Sequence, residues 1–269
     1  MPRSDAAFEG SIPVLYERYL SPMLFQPYAI DIAERIAPLA PRRLLETAAG
    51  TGVVTRELER VLGEDTAITA TDLNQAMIDV ATTTAGSGHA TWTQCDAMAL
   101  PFQGNSFDLV ACQFGVMFFP ERIRAYREAA RVLARDGAFI FTVWDSLAVN
   151  DVTRIIAEAL AARYPDDPPS FIERVPFGYF DVDLIRSELI ESGFSEVAAE
   201  TVTLPSRAGS ARDAAIGVCQ GSPVKAEIES READGLQAAT EGAAQALVAR
   251  FGSGRLESSM QAITMTARL

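Results

Sequence analysis

Apolar and polar positions along this 269-residue chain change period repeatedly, and the changes mark out its elements. Short, largely β-branched and apolar segments near 43–48, 67–71, 107–113 and 138–144, with a further one at 91–95, read as strands. Between them the spacing is helical. Val54, Leu58 and Val61 share one face of a segment from Val53 to Leu62, and further helices are predicted over about 74–84 and 121–133. Upstream, residues 14–38 read as one or two helices, with Tyr16, Tyr19, Leu24, Phe25, Tyr28, Ile32 and Ile36 at helical spacing. This alternation predicts an α/β fold of the Rossmann-like, three-layer kind, with right-handed crossovers around a mostly parallel sheet. Ligands then belong beyond the carboxyl ends of the strands, where the strand order reverses.

The second half breaks the alternation. Residues 146–180 carry Tyr164-Pro165-Asp166-Asp167-Pro168-Pro169 and Pro176-Phe177-Gly178-Tyr179-Phe180, a long connection at the ligand edge that reads as a lid. A helix over about 182–193, a strand at Phe194–Leu204, an Ala-, Glu- and Gln-rich helical stretch at 209–250 and an alternating run from Ser258 follow. The expected division is one domain, 1–269: a helical cap (1–40), a core (41–145), the lid (146–180), a helix and sixth strand (181–208), a helical insertion (209–250) and a last strand (257–269). No internal repeat or low-complexity linker interrupts it.

Candidate chemistry begins in the stretch 44–55, Leu-Leu-Glu-Thr-Ala-Ala-Gly-Thr-Gly-Val-Val-Thr. It reads as a strand, a glycine turn and a first helical turn. Gly50 and Gly52 remove side chains where a ligand must approach backbone. About twenty residues on, the next strand ends at Asp72, where a βαβ nucleotide site places an acceptor for ribose hydroxyls. An adenosine-type cofactor is expected. The dinucleotide fingerprint wants a third glycine, but Gly50-Thr51-Gly52 runs into Val53-Val54-Thr55. Glu46 would also repel a pyrophosphate and suit an ammonium-bearing ligand such as S-adenosylmethionine.

Four further motifs carry a family resemblance. They are Asp72-Leu73-Asn74-Gln75-Ala76-Met77, then Cys95-Asp96-Ala97-Met98-Ala99-Leu100-Pro101-Phe102 with Phe107-Asp108-Leu109-Val110, Gln113-Phe114-Gly115-Val116-Met117-Phe118-Phe119-Pro120, and Ala134-Arg135-Asp136-Gly137-Ala138-Phe139. With Glu46–Gly52 they resemble the class I S-adenosylmethionine-dependent methyltransferases from about residue 15 onward, and within them a subgroup acting on small molecules. Ala48-Ala49 depart from the glycine or cysteine of many members. The resemblance implies seven strands, the last antiparallel beside the sixth, with 209–250 as part of a substrate cap. It implies S-adenosylmethionine as cofactor and S-adenosylhomocysteine as product. Gly50, Thr51 and Gly52 would pass the methionine tail against bare backbone, with Glu46 at its amino end and Asp72 on the ribose. Leu73 and Met77 would sandwich the adenine, Asp96 and Ala97 would bond its edge, and Gln113 and Phe114 would lie beneath the reactive sulfur. Tyr19, Phe25 and Ala48 complete the cofactor set.

Methyl transfer from a sulfonium is an in-line displacement that asks the protein mainly to position the acceptor and exclude water. Candidates for acceptor contact are Tyr16, Tyr19, Asp145 and Tyr179, with Asp145, Tyr19 and Tyr179 the candidates for catalysis. Met117, Phe118, Phe119, Phe177 and Phe180 are expected to make an apolar pocket for a small, partly apolar or aromatic acceptor. The sole histidine, His89, precedes the third strand at the opposite edge. No His/Cys/Asp cluster has metal-ligand spacing, so no metal is expected.

Composition narrows the picture. A net charge of −13 repels phosphate backbones, so nucleic acid is disfavoured as a partner. No apolar run is long enough to span a membrane, and no apolar signal segment opens the chain, which argues for a cytoplasmic protein. Cys95, Cys112 and Cys219 are too scattered for a disulfide framework, and Cys95 and Cys112 read as core residues of strands. Apolar cap residues would serve a homodimer as well as a substrate. The rival readings are a nicotinamide-dependent oxidoreductase and a non-catalytic S-adenosylmethionine-binding protein.

Overall fold

A computed structural model describes residues 3–6, 8–86 and 88–269. After a short 3-10 turn at Arg3–Ala6, the cap is a continuous helical rod in three registers: α1 (Ile12–Leu15), a π-helical stretch Tyr16–Phe25 and α2 (Gln26–Ile36). Then β1 (Arg43–Glu46), α3 (Val53–Leu62), β2 (Ala67–Asp72), α4 (Gln75–Ala85), β3 (Thr91–Gln94), β4 (Phe107–Gln113), α5 (Arg122–Val132) and β5 (Leu133–Trp144) follow. The lid region holds α6 (Asp151–Arg163) and α7 (Phe171–Arg174). Beyond it come α8 (Val182–Glu191), β6 (Glu196–Ala208), α9 (Ala211–Gln220), α10 (Val224–Arg231), α11 (Leu236–Phe251) and β7 (Leu256–Arg268).

The seven strands form one sheet in the order β3-β2-β1-β4-β5-β7-β6. The first five are mutually parallel, and β7 inserts antiparallel between β5 and β6. The order reverses between β1 and β4, so a crevice opens beyond Glu46 and Gln113. Apolar residues on both sheet faces explain the near-continuous burial of β4 and of the second half of β5.

Two strands run longer than their apolar cores. β5 begins at Leu133 because Leu133 pairs with Phe107 ahead of a register shift, through the exposed pair Arg135 and Asp136. β6 continues past Leu204 through Pro205 to Ala208, opposite Leu256–Ser259. Pro205 is accommodated because β6 is the sheet edge, paired on one side only, which is where proline is tolerated in a sheet. The region 146–180 is also more helical than an open connection, since α6 packs against α11.

The rod docks across the sheet. Tyr28, fully buried, donates its hydroxyl to the carbonyls of Val202 and Met260, each 3.0 Å away on β6 and β7. Ile32 and Ile36 continue the same buried face. The cap is therefore fixed to the antiparallel end of the sheet, and its π-helical part overhangs the crevice.

Candidate active site

The turn after β1 is built around Asp72. Its Oδ2 accepts the backbone N–H of Gly50 and its Oδ1 that of Asn74, both at 2.8 Å. One carboxylate thus ties the end of β2 to the glycine turn of β1. Gly50 holds φ +57, and a β-carbon there would stand 3.5 Å from the Met77 methyl. Ala48 and Phe114, at the ends of β1 and β4, also sit at positive φ (52 and 53), an uncommon conformation for residues with side chains. The two turns touch at Gly115, where a β-carbon would fall 2.5 Å from that of Ala48. Phe114 is held by its N–H to the Thr142 carbonyl and by stacking on Trp144 at 3.9 Å.

These turns floor a cavity of about 680 Å³, within the roughly 300–1,000 Å³ of small-molecule sites. One half is lined by Ala48, Gly50, Asp72, Leu73, Asn74, Met77, Cys95, Asp96 and Ala97, in the sheet order β1, β2, β3. Leu73 is 51% exposed there, an apolar side chain left for a ligand to cover. The other half is walled by Tyr16, Met117, Phe118, Phe119, Trp144, Phe171 and Phe177. Tyr16 stacks on Phe25 at 4.8 Å, and Phe8 closes edge-on against both Tyr16 and Phe118.

The cap segments over this second half are clamped together. Arg174 of α7 pairs with Asp5 of the N-terminal turn and with Glu227 of α10. Glu227 in turn accepts the N–H groups of Ser170 and Phe171 that open α7.

A family model described as a methyltransferase domain matches residues 45–141. The ubiquinone/menaquinone biosynthesis C-methyltransferase of Photorhabdus laumondii is 31% identical over 176 residues, 60% of this chain and 70% of that one. The chain belongs to the class I S-adenosylmethionine-dependent methyltransferases. The corresponding enzyme of Methylobacterium nodulans is 34% identical over 130 residues, 47% of this chain and about half (52%) of that one. The fold matches phosphoethanolamine N-methyltransferase 2 of Haemonchus contortus, solved with S-adenosylhomocysteine, at TM-score 0.60 and 16% identity over 95% of this chain and 57% of that one.

The cofactor of this methyltransferase is S-adenosylmethionine, and the first half of the cavity suits it. Asp72 offers carboxylate lone pairs to a diol, Leu73 and Met77 offer apolar faces to a ring, and Asp96 offers an acceptor. Not every expected residue reaches the wall. Glu46, Thr51 and Gly52 lie behind it. Glu46 is 1% exposed and accepts the Thr55 hydroxyl at 2.6 Å, and burial pushes its carboxyl up to about 8. The Thr51 carbonyl accepts from the Arg56 guanidinium, and Gly52 packs on the Trp92 ring.

Four of the candidates, Tyr19, Asp145, Tyr179 and Phe180, lie outside the cavity wall. Tyr19 does not join Tyr16, because the i→i+5 π-helical register turns residues three apart onto different faces. Its β-carbon packs instead towards Gly217 of α9. Asp145 accepts the N–H of Ser146 and caps the turn after β5. Tyr179 is buried against α5 and α8, bonded to Tyr126 and Glu188 with the Arg122 guanidinium over its ring, and anchors the lid. Phe180 is 42% exposed and points away from the cavity. Cys95 is a half-buried residue of the cavity wall rather than a strand core residue.

Sequence reasoning missed Phe8, Leu20, Leu24, Trp144, Phe171 and Val218 in the wall. Only Trp144 carried a local signal, as the last residue of a strand at the ligand edge. His89 lies outside the wall, 3.7 Å from Glu59.

Proposed function

We propose that the methyltransferase acts on a small, uncharged, partly apolar or aromatic acceptor. The observation that carries this reading is the makeup of the acceptor half. Its walls are mainly aromatic and aliphatic, with Glu9, Thr153 and Ser222 among them, and among the described residues the cavity is lined by no Lys, Arg or His. A phosphate or carboxylate entering it would be desolvated without a counter-charge from the protein, beside Asp72 and Asp96. The names of the relatives, which refer to quinone biosynthesis, fit a ring-bearing acceptor.

When bound, S-adenosylmethionine supplies an electrophilic methyl group on a sulfonium. The protein's part is to hold the acceptor against it and keep water out. Asp72, Leu73, Met77, Asp96 and Ala97 would hold the nucleoside, and Gly50 would give the tail its passage. Phe114, stacked on Trp144, forms a rigid floor between the halves. Tyr16 stays a phenol, because burial and the charges of Asp72 and Glu17 raise its pKa. It would therefore donate a hydrogen bond to the acceptor and not remove a proton. Phe8, Phe171 and Phe177 would seal the acceptor from solvent.

The test is formation of S-adenosylhomocysteine with a panel of acceptors of matched size. Neutral phenols and quinols are expected to turn over, and their phosphorylated or carboxylated analogues are not. A preference for the anions overturns the reading. Within it, Phe177→Ala raises the acceptor's KM about tenfold or more through lost contact, with cofactor affinity kept. Phe180→Ala leaves KM within about twofold, as expected of a surface position. Equal effects of the two substitutions would remove Phe177 from the acceptor wall.

A further inference from the structure

Polar side chains are few in the acceptor half of the cavity, and they differ in what they already hold. The Ser222 hydroxyl donates to the Val218 carbonyl at 2.6 Å, within its own turn. Glu9 is exposed to solvent. Thr153 is different. It lines the cavity and is 6% exposed, yet its hydroxyl has no hydrogen-bond partner among the described residues. Nor is it one of the side-chain oxygens sealed from solvent without a partner, which belong to Gln113, Thr142, Ser206 and Thr264. The Thr153 oxygen therefore keeps access to the cavity that the residue lines.

Its place in α6 explains why the hydroxyl is available. Thr82, Thr83 and Thr240 lie deeper in their helices and donate to the carbonyl four residues back. Thr153 is the third residue of α6, and the residue four back, Val149, belongs to the separate 3-10 turn Leu147–Val149. The helix offers no carbonyl of its own at that spacing.

The position of α6 also decides which end of an acceptor meets this hydroxyl. α6 packs on α7, α9, α11 and β7. The nucleoside half is built on β1, β2 and β3, on the other side of β4 from β7 in the sheet order. Tyr16 is on the cofactor side, close enough to Asp72 for that charge to act on its phenol. An aromatic row, Tyr16-Phe25-Trp144-Phe177, runs from the cap rod towards α7 with centroid spacings of 4.8, 6.2 and 5.7 Å.

We infer that Thr153 determines acceptor specificity, its hydroxyl hydrogen-bonding a neutral polar group on the end of the acceptor remote from the methylated atom. This rests on the small-molecule reading above. A threonine hydroxyl both donates and accepts, so it serves a hydroxyl, a carbonyl or an amide N–H at that end. An acceptor that is apolar there displaces water from the hydroxyl and gives nothing back, so it binds more weakly.

The experiment compares methyl transfer to hydroquinone and to 4-methylphenol, which replaces one hydroxyl by a methyl group of similar size. Each is measured with wild type, Thr153→Val and Thr153→Ser, beside calorimetric binding of S-adenosylhomocysteine. Thr153→Val is expected to raise the KM for hydroquinone about five- to tenfold, the worth of one neutral hydrogen bond. Its KM for 4-methylphenol stays level or falls, and its cofactor affinity stays within about twofold of wild type. Thr153→Ser, which keeps the hydroxyl, keeps the wild-type ratio of the two KM values. A ratio unchanged in Thr153→Val, or changed equally in Thr153→Ser, overturns the assignment. Cofactor binding by wild type without turnover of either compound overturns the acceptor reading, and the assignment with it.

Discussion

Asp72→Ala will lower affinity for S-adenosylhomocysteine by about 100-fold or more, measured by calorimetry. Two losses combine. The ribose loses a buried carboxylate able to accept from both hydroxyls. The glycine turn also loses its tie, because Gly50 and Asn74 each donate a backbone N–H to that side chain at 2.8 Å. Those N–H groups then stand partnerless beside the cavity. Asp72→Asn separates the two contributions. Its amide has one oxygen, so one of the two backbone donors faces an NH₂ group whichever way it lies. It will bind more weakly than wild type and more tightly than the alanine variant. An affinity for Asp72→Ala within a few-fold of wild type would mean that the ligand does not use this carboxylate.

Stability will depend on pH through Glu46, and Glu46→Gln will remove that dependence. The carboxyl has an ordinary value near 4.5 in the unfolded chain and is pushed up to about 8 in the fold by burial, against the opposing Thr55 hydrogen bond. The folded state therefore binds the extra proton between these values, and stability falls as pH rises from about 4.5 to about 8. The full shift corresponds to about 4–5 kcal/mol at the conversion of roughly 1.4 kcal/mol per pKa step. Glutamine accepts the same Thr55 hydroxyl and never ionises. Melting curves of the two proteins will coincide near pH 5 and separate steadily toward pH 8, with Glu46→Gln several degrees higher. Parallel curves across that range would show that Glu46 stays charged in the fold.

The parts of the site legible in sequence are the local ones. Glycines bracketing Thr51, a carboxylate closing β2 and Gln113-Phe114-Gly115 closing β4 each state their geometry within a few residues, and the sheet brings Gly50, Asp72 and Gln113 to one rim. The acceptor half is assembled from distant segments. Phe8, Trp144, Phe171 and Val218 read in sequence like any other core residue. Tyr16 and Tyr19 look equivalent at helical spacing, and only the π-helical register separates them. Pro205 looks like a strand end, and only the edge position of β6 makes it harmless. Glu46 was visible as a carboxylate at a strand end, but its seclusion behind the turn depends on Thr55, nine residues on in α3.

The most direct test of this account is a crystal structure of the protein with S-adenosylhomocysteine. The account predicts the adenine between Leu73 and Met77 with Asp96 at its edge, the ribose on Asp72, and the tail running past Gly50 to Gln113. The aromatic half beyond Phe114 is left for the acceptor. A nucleoside seated among Phe118, Phe171 and Phe177, or a ligand bound away from the β1–β4 rim, would contradict it.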